Sequence, residues 1–169
     1  NYYKLHLFGV DAQDKQVGYR ASDTFAYGNK ISLVDTPSAT RGLTICYDLR
    51  FPSLFSELRN LGADIIFVPA AFTAVTGQAH WETLLRARAI ETQCFIIAVN
   101  QGGTHACGRE TWGHSMVVSP WGEVIASLEQ ESGTLLVELD LEQLASIRKN
   151  MPLIEHNRFS NVLKKEPIK

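Results

Sequence analysis

Gly42-Leu43-Thr44-Ile45-Cys46-Tyr47-Asp48-Leu49-Arg50-Phe51-Pro52 is the stretch whose reading decides the fold. Residues 43–47 are mostly apolar and β-branched or aromatic, which suits a strand. Asp48 to Pro52 interrupt it, and Pro52 fits the first turn of a helix, where a missing N–H costs nothing. Leu54, Phe55, Leu58 and Leu61 then recur at helical spacing, and Gly62 closes the segment. A strand that turns directly into a helix belongs to a layered α/β protein. It also places Cys46 on the turn, where backbone N–H groups and the helix dipole can favour a thiolate and can stabilise an oxyanion. Spacing alone serves two readings of Cys46, a nucleophile or a small thiol packed as a hydrophobe.

Outward from this turn, residues 2–8 read as a strand-like run and residues 9–30 as loop. Residues 31–34, 64–69, 94–99, 115–118, 124–128 and 134–139 read as further strands. Helices are expected over 80–93 and 141–149, with a small-residue loop at 72–79, a Gly-rich loop at 101–113 and a polar tail from 150. Ser119-Pro120-Trp121-Gly122-Glu123 is a hairpin turn signal. Repeats and linkers are lacking, so residues 1–169 read as one α/β domain with helices covering a sheet.

Composition excludes several classes. The 169 residues are 45% hydrophobic and 20% charged, a globular balance. Sixteen Lys and Arg face eighteen Asp and Glu, a net charge of −2, which gives no basic field for nucleic acid. The longest apolar runs are too short to span a bilayer, so no membrane partner is expected. Three cysteines, at 46, 94 and 107, make neither a disulfide framework nor a zinc module and point to a reducing, cytoplasmic compartment. The chain opens Asn1-Tyr2-Tyr3-Lys4-Leu5-His6-Leu7-Phe8 with no loose polar lead, and reads as a fold entered in its middle. Lys4 stands out in that apolar run. It is either an edge-strand surface residue or an inward cation with an anion to meet.

Taken together, Tyr3-Lys4-Leu5-His6-Leu7-Phe8, the stretch 42–52, Phe72-Thr73 through Gly77, His80-Trp81-Glu82 with Leu85-Arg86-Ala87-Arg88-Ala89-Ile90-Glu91, Gly113-His114-Ser115-Met116 and Pro120-Trp121-Gly122 resemble the carbon–nitrogen hydrolase (nitrilase) superfamily. Order and spacing agree from residue 2 to about residue 159. Residues 72–82 and Gln101-Gly102-Gly103 are most similar to the branch of deaminated glutathione amidases and related Nit proteins. The resemblance implies the C-terminal portion of an αββα sandwich and a Glu–Lys–Cys triad. On that reading Cys46 is the nucleophile, and Lys4 with the backbone N–H of Tyr47 stabilises the oxyanion. Arg50 is a candidate for binding a substrate carboxylate, or else pairs with Asp48. The triad's general-base Glu falls outside this chain. Relatives commonly carry Glu where this chain has Ala21; Asp23 is a possible substitute.

The implied activity is hydrolysis of a non-peptide amide in a small carboxylate-bearing molecule, through a thioester and with release of ammonia, without metal or cofactor. Partners are the small-molecule amide and a second copy of the chain, a homodimer joined in part by the tail. Two alternatives stand beside it: a non-catalytic subunit or fragment of the fold, and a nitrilase or other amidase with a different acyl pocket. A Cys–His dyad with His80 or His114 is a weaker option than histidines held in structural hydrogen bonds. His105 with Cys107 is too sparse for a metal site, and Cys94 reads as packing.

Overall fold

A computed structural model describes residues 1–9 and 24–160. Ala21 and Asp23 therefore lie outside the described residues. The elements run β1 (Leu33–Asp35), β2 (Thr40–Leu43), a 3₁₀ turn (Cys46–Arg50), α1 (Pro52–Asn60), β3 (Ile65–Ala70), α2 (Ala74–Thr92) and β4 (Phe95–Asn100). A hairpin of β5 (Gly102–Thr104) and β6 (Glu110–Trp112) follows, then β7 (Met116–Val118), β8 (Val124–Ser127), α3 (Leu141–Asn150) and α4 (Leu153–His156).

Six strands form one sheet in the order β1-β2-β3-β4-β7-β8. The middle pairs β2–β3 and β3–β4 are parallel, joined through α1 and α2, and the outer pairs are antiparallel. Each crossover needs a helix to return the chain to the same end of the sheet, so the loops that follow β2, β3 and β4 gather at one end. The site lies there.

Strand period two gives the sheet two apolar faces. Ile66, Val68, Ile96, Ala98, Met116 and Val118 pack against Phe55 and Leu58 of α1 and Trp81, Leu85 and Ala89 of α2. Phe55, Trp81 and Leu85 have no exposed surface, and each such side chain contributes about 2–3 kcal/mol by leaving water. Ile65 and Phe95 face the other way and meet Ala39 and Leu144 of α3, with Phe67 and Ile97 beside them. Arg148 ties α3 to the sheet's far end, donating to Asp64 Oδ1 at 2.6 Å and to the carbonyls of Ala63 and Gln93.

Several expectations change, among them the loop expected at 101–113, which carries the β5–β6 hairpin, and the tail from 150, which carries α4. Residues 2–8 form neither strand nor helix: the Tyr2 hydroxyl and His6 N–H donate to the Asp48 side chain, and the Lys4 carbonyl accepts from the Gly28 N–H of a loop. The strand expected at 43–47 is β2, Thr40–Leu43, and Cys46 already belongs to the 3₁₀ turn. The loop expected at 72–79 is mostly the first turns of α2, started by Thr73, whose Oγ1 accepts from the Thr76 N–H. Residues 134–139 form no ladder among the described residues, and Leu136 is 99% exposed.

Candidate active site

β2 ends at Leu43, where Thr44 donates its N–H to the Phe67 carbonyl of β3 and then leaves the sheet. Cys46 follows with φ of +50°, a left-handed conformation that non-glycine residues adopt only when the surroundings enforce it. The strain turns the backbone sharply out of the sheet and leaves the thiol half-buried at its edge. The first internal bond of the 3₁₀ turn runs from Asp48 N–H to Ile45 O, so the N–H of Tyr47 precedes the bonded pattern.

A cavity of about 730 Å³ opens over this turn. Cys46, Lys4, Tyr47 and Arg50 all line it, with Arg109 and Phe72. The four residues singled out in the sequence are thus brought to one space. The Lys4 ammonium stands 5.8 Å from the centre of the Tyr47 ring. Arg50 lies 5.3 Å from the Phe72 ring and 6.0 Å from the Tyr47 ring, with a nitrogen 3.3 Å from His80 Nδ1. It does not pair with Asp48, whose carboxylate is taken by Tyr2, His6 and the Ile45 N–H. Lys4 and Arg50 bring positive charge to the cavity, and no Asp or Glu lines it among the described residues. Such a cavity favours an anionic ligand.

Three contributors escape a sequence reading. Arg109 reaches in from the loop just before β6 and donates to the Ala71 carbonyl at 3.0 Å. Asn100, at the end of β4, accepts from the Phe72 N–H at 2.9 Å and donates to Gly113 O at 2.6 Å, fixing the loops at the rim. Asp48 is wholly buried beneath the turn. Only the Asp-Leu-Arg run beside Cys46 and the isolated Arg in a Gly-rich loop hinted at the charged members; nothing local marked Asn100.

The histidines have other partners. His6 sits 2.8 Å from Asp48, His114 Nδ1 2.7 Å from the Trp112 carbonyl, and His105 Nε2 2.8 Å from the Thr111 hydroxyl. None is hydrogen-bonded to the Cys46 thiol among the described residues. Glu82 is exposed and faces Arg86 at 3.4 Å, outside the cavity lining. Cys94 is fully buried and donates to the Ala63 carbonyl, and burial pushes its thiol pKa up. No helix among the described residues is long and apolar enough to cross a membrane.

With a strained cysteine turn at the ends of parallel strands and a cationic cavity above it, the class is settled by comparison: residues 1–149 match the carbon–nitrogen hydrolase family, and the chain belongs to that family. A deaminated glutathione amidase from Yersinia enterocolitica is 51% identical over 162 residues, covering 96% of this chain and 57% of that protein. The crystal structure of the Caenorhabditis elegans NitFhit protein superposes with a TM-score of 0.86 at 46% identity, covering 93% of this chain and 38% of that one. This places the chain in the nitrilase fold. An amidase variant from Nesterenkonia sp. AN1 superposes with a TM-score of 0.71 at 25% identity, covering 89% of this chain and 55% of that one; its structure shows the acetamide moiety of fluoroacetamide added covalently at the active-site cysteine. The chain spans about half the length of the curated relatives it matches.

Proposed function

We propose that this chain carries the nucleophilic half of an amidase site that hydrolyses a small, carboxylate-bearing amide. The observation that carries the reading is the placement of Cys46, on a strained turn, in a cavity shared with Lys4, Arg50 and Arg109 and free of lining carboxylates among the described residues. Likeness to deaminated glutathione amidases makes deaminated glutathione or a related ω-amide the leading substrate. The Cys46 thiolate attacks the amide carbonyl and forms a C–S bond. Lys4 and the Tyr47 N–H hold the oxyanion that develops. The tetrahedral intermediate collapses, the C–N bond breaks, and the protonated nitrogen leaves, as ammonia from a primary ω-amide or as the free amine of the dipeptide portion from deaminated glutathione. Water then attacks the thioester, releasing the carboxylic acid and restoring the thiol. The general base of this mechanism is the family's Glu, which this reading places outside this chain; no carboxylate lines the cavity among the described residues. None of these steps calls on a metal or cofactor.

Arg50 and Arg109 serve the substrate's carboxylates as hydrogen-bonding cations. A cytoplasmic, reducing setting suits three unpaired thiols. Pairing into a homodimer joined in part by the tail would cover Ile154 and Phe159, exposed apolar residues of that segment. A monomer by light scattering of the full chain would remove the dimer. For the activity, Cys46→Ala in the full chain should abolish ammonia release, and Arg109→Gln should raise KM for a dicarboxylate ω-amide about 10-fold or more while changing a neutral amide little. Turnover retained by Cys46→Ala in a preparation free of other amidases would overturn the mechanism. Equal effects of Arg109→Gln on charged and neutral amides would overturn the substrate class.

A further inference from the structure

Asp48 has no exposed surface, and its carboxylate gathers donors from two separate segments. Oδ2 accepts from the Ile45 N–H at 2.9 Å, next to Cys46, and from the Tyr2 hydroxyl at 2.7 Å. Oδ1 accepts from the His6 N–H at 3.0 Å and lies 2.8 Å from His6 Nδ1. Lys4 sits midway between Tyr2 and His6. Residues 1–9 have no ladder or helix to fix their course. Their ties to the body include the Asp48 carboxylate, the buried side chains of Leu5 and Leu7, the Gly28 N–H to Lys4 O bond at 2.9 Å, the His6 ring stacked on Phe51 at 3.7 Å, and Phe8 and Lys4 against the Tyr47 ring.

We propose that Asp48 is a positioning residue that sets the Lys4 ammonium against the Cys46 thiol by bridging the two backbone segments that carry them. The proposal rests on the amidase reading of the cavity. Its chemistry is specific to a carboxylate, because each oxygen accepts a different backbone N–H, one from each segment. An asparagine has one acceptor oxygen. Whichever way its amide turns, the NH₂ group meets either the Ile45 or the His6 N–H and pushes that segment away. Tyr2 adds a hydroxyl that only a properly placed acceptor satisfies, and desolvation together with the Asp48 carboxylate raises its pKa, holding it in the neutral donor form.

The test is a set of variants in the full chain, Asp48→Asn, Tyr2→Phe, Lys4→Gln and the double variant Asp48→Asn with Lys4→Gln. Each is assayed for kcat per titrated active-site thiol, KM and melting temperature. A merely structural role would lower the titrated fraction and the melting temperature but leave kcat per thiol in place. Positioning predicts a loss of about 100-fold in kcat per thiol for Asp48→Asn with KM within about 3-fold, the scale of a 1 Å misplacement. Tyr2→Phe should lose about 5-fold, the scale of one hydrogen bond. In the Lys4→Gln background Asp48→Asn should cost less than about 3-fold, because its target is gone. Parental kcat per thiol in Asp48→Asn, or an undiminished loss on top of Lys4→Gln, would overturn the proposal. Should Asp48→Asn fail to fold, Tyr2→Phe decides it: parental kcat per thiol overturns the proposal, and a several-fold loss supports it. Turnover in Cys46→Ala would instead strike the amidase reading itself, so the two failures are distinct.

Discussion

Gly28→Ala is the most informative single change outside the cavity. A Cβ at Gly28 would stand 2.1 Å from the carbonyl oxygen and 2.7 Å from the carbonyl carbon of Tyr3, the peptide that leads into Lys4. Ordinary contacts begin at about 3.4 Å, so the Tyr3–Lys4 peptide must retreat by about 1 Å. Backbone cannot rotate out of the way as a flexible side chain would. The retreat also stretches the 2.9 Å bond from Gly28 N–H to Lys4 O past hydrogen-bonding range. Two consequences follow. Overpacking costs about 1–3 kcal/mol, which lowers Tm by about 2–10 °C for a domain of this size. If Lys4 acts at the thiol as proposed, displacing it by about 1 Å lowers kcat about 10- to 100-fold. KM should move little, because Arg50, proposed to bind the substrate, sits on another element. The assay is steady-state ammonia release by the full chain at saturating amide, with Tm from circular dichroism. A variant that keeps its fold and a kcat within 2-fold of the parent would refute the reasoning that Lys4 acts at the thiol.

Three further outcomes are expected. Native alkylation followed by peptide mass spectrometry should label half-buried Cys46 and exposed Cys107 and spare Cys94, which is buried with a raised pKa; Cys94 should react once the chain is denatured. Thr73→Ala removes the side-chain cap of α2 and should cost about 1 kcal/mol, read as a lower urea midpoint with unchanged m. Tyr2 ionises near pH 10 when unfolded, but burial and Asp48 push its folded value up, so the folded chain keeps the proton. That contribution is complete below about pH 10 and is lost as pH rises further, so urea stability should fall more steeply above about pH 10 in the parent than in Tyr2→Phe. Equal slopes would contradict it.

The parts of the fold legible in the sequence are those with strong local signals. Continuous apolar runs gave β3 and β4, the helical repeat after Pro52 gave α1, and the Ser-Pro-Trp-Gly-Glu turn gave the β7–β8 hairpin. Cys46, Lys4, Tyr47 and Arg50 were legible because the turn and the family resemblance named them, and the fold then brings them to one cavity. What stayed hidden is tertiary. Residues 2–8 look like a strand because their apolar residues partly alternate, yet Leu5 and Leu7 are buried while the backbone bonds a carboxylate rather than a neighbouring strand. The start of α2 was masked by small residues. Gly77 in particular reads as a breaker, but it is there because the Trp112 side chain lies 2.2 Å from where its Cβ would be. Asp48 read only as one alternative partner for nearby Arg50. Its real partners, Tyr2 and His6, lie far away in sequence, and nothing local announces them.

The central claim is that Cys46 carries the acyl group. The direct measurement is acid quench of the full chain within its first turnover of an ω-amide, followed by mass analysis of the peptide containing Cys46. The account predicts that this peptide gains the mass of the substrate acyl group, with loss of ammonia, and that hydroxylamine removes the addition as expected of a thioester. Ammonia released in a first-turnover burst while the Cys46 peptide keeps its unmodified mass, or an acyl group found on another residue, would contradict it.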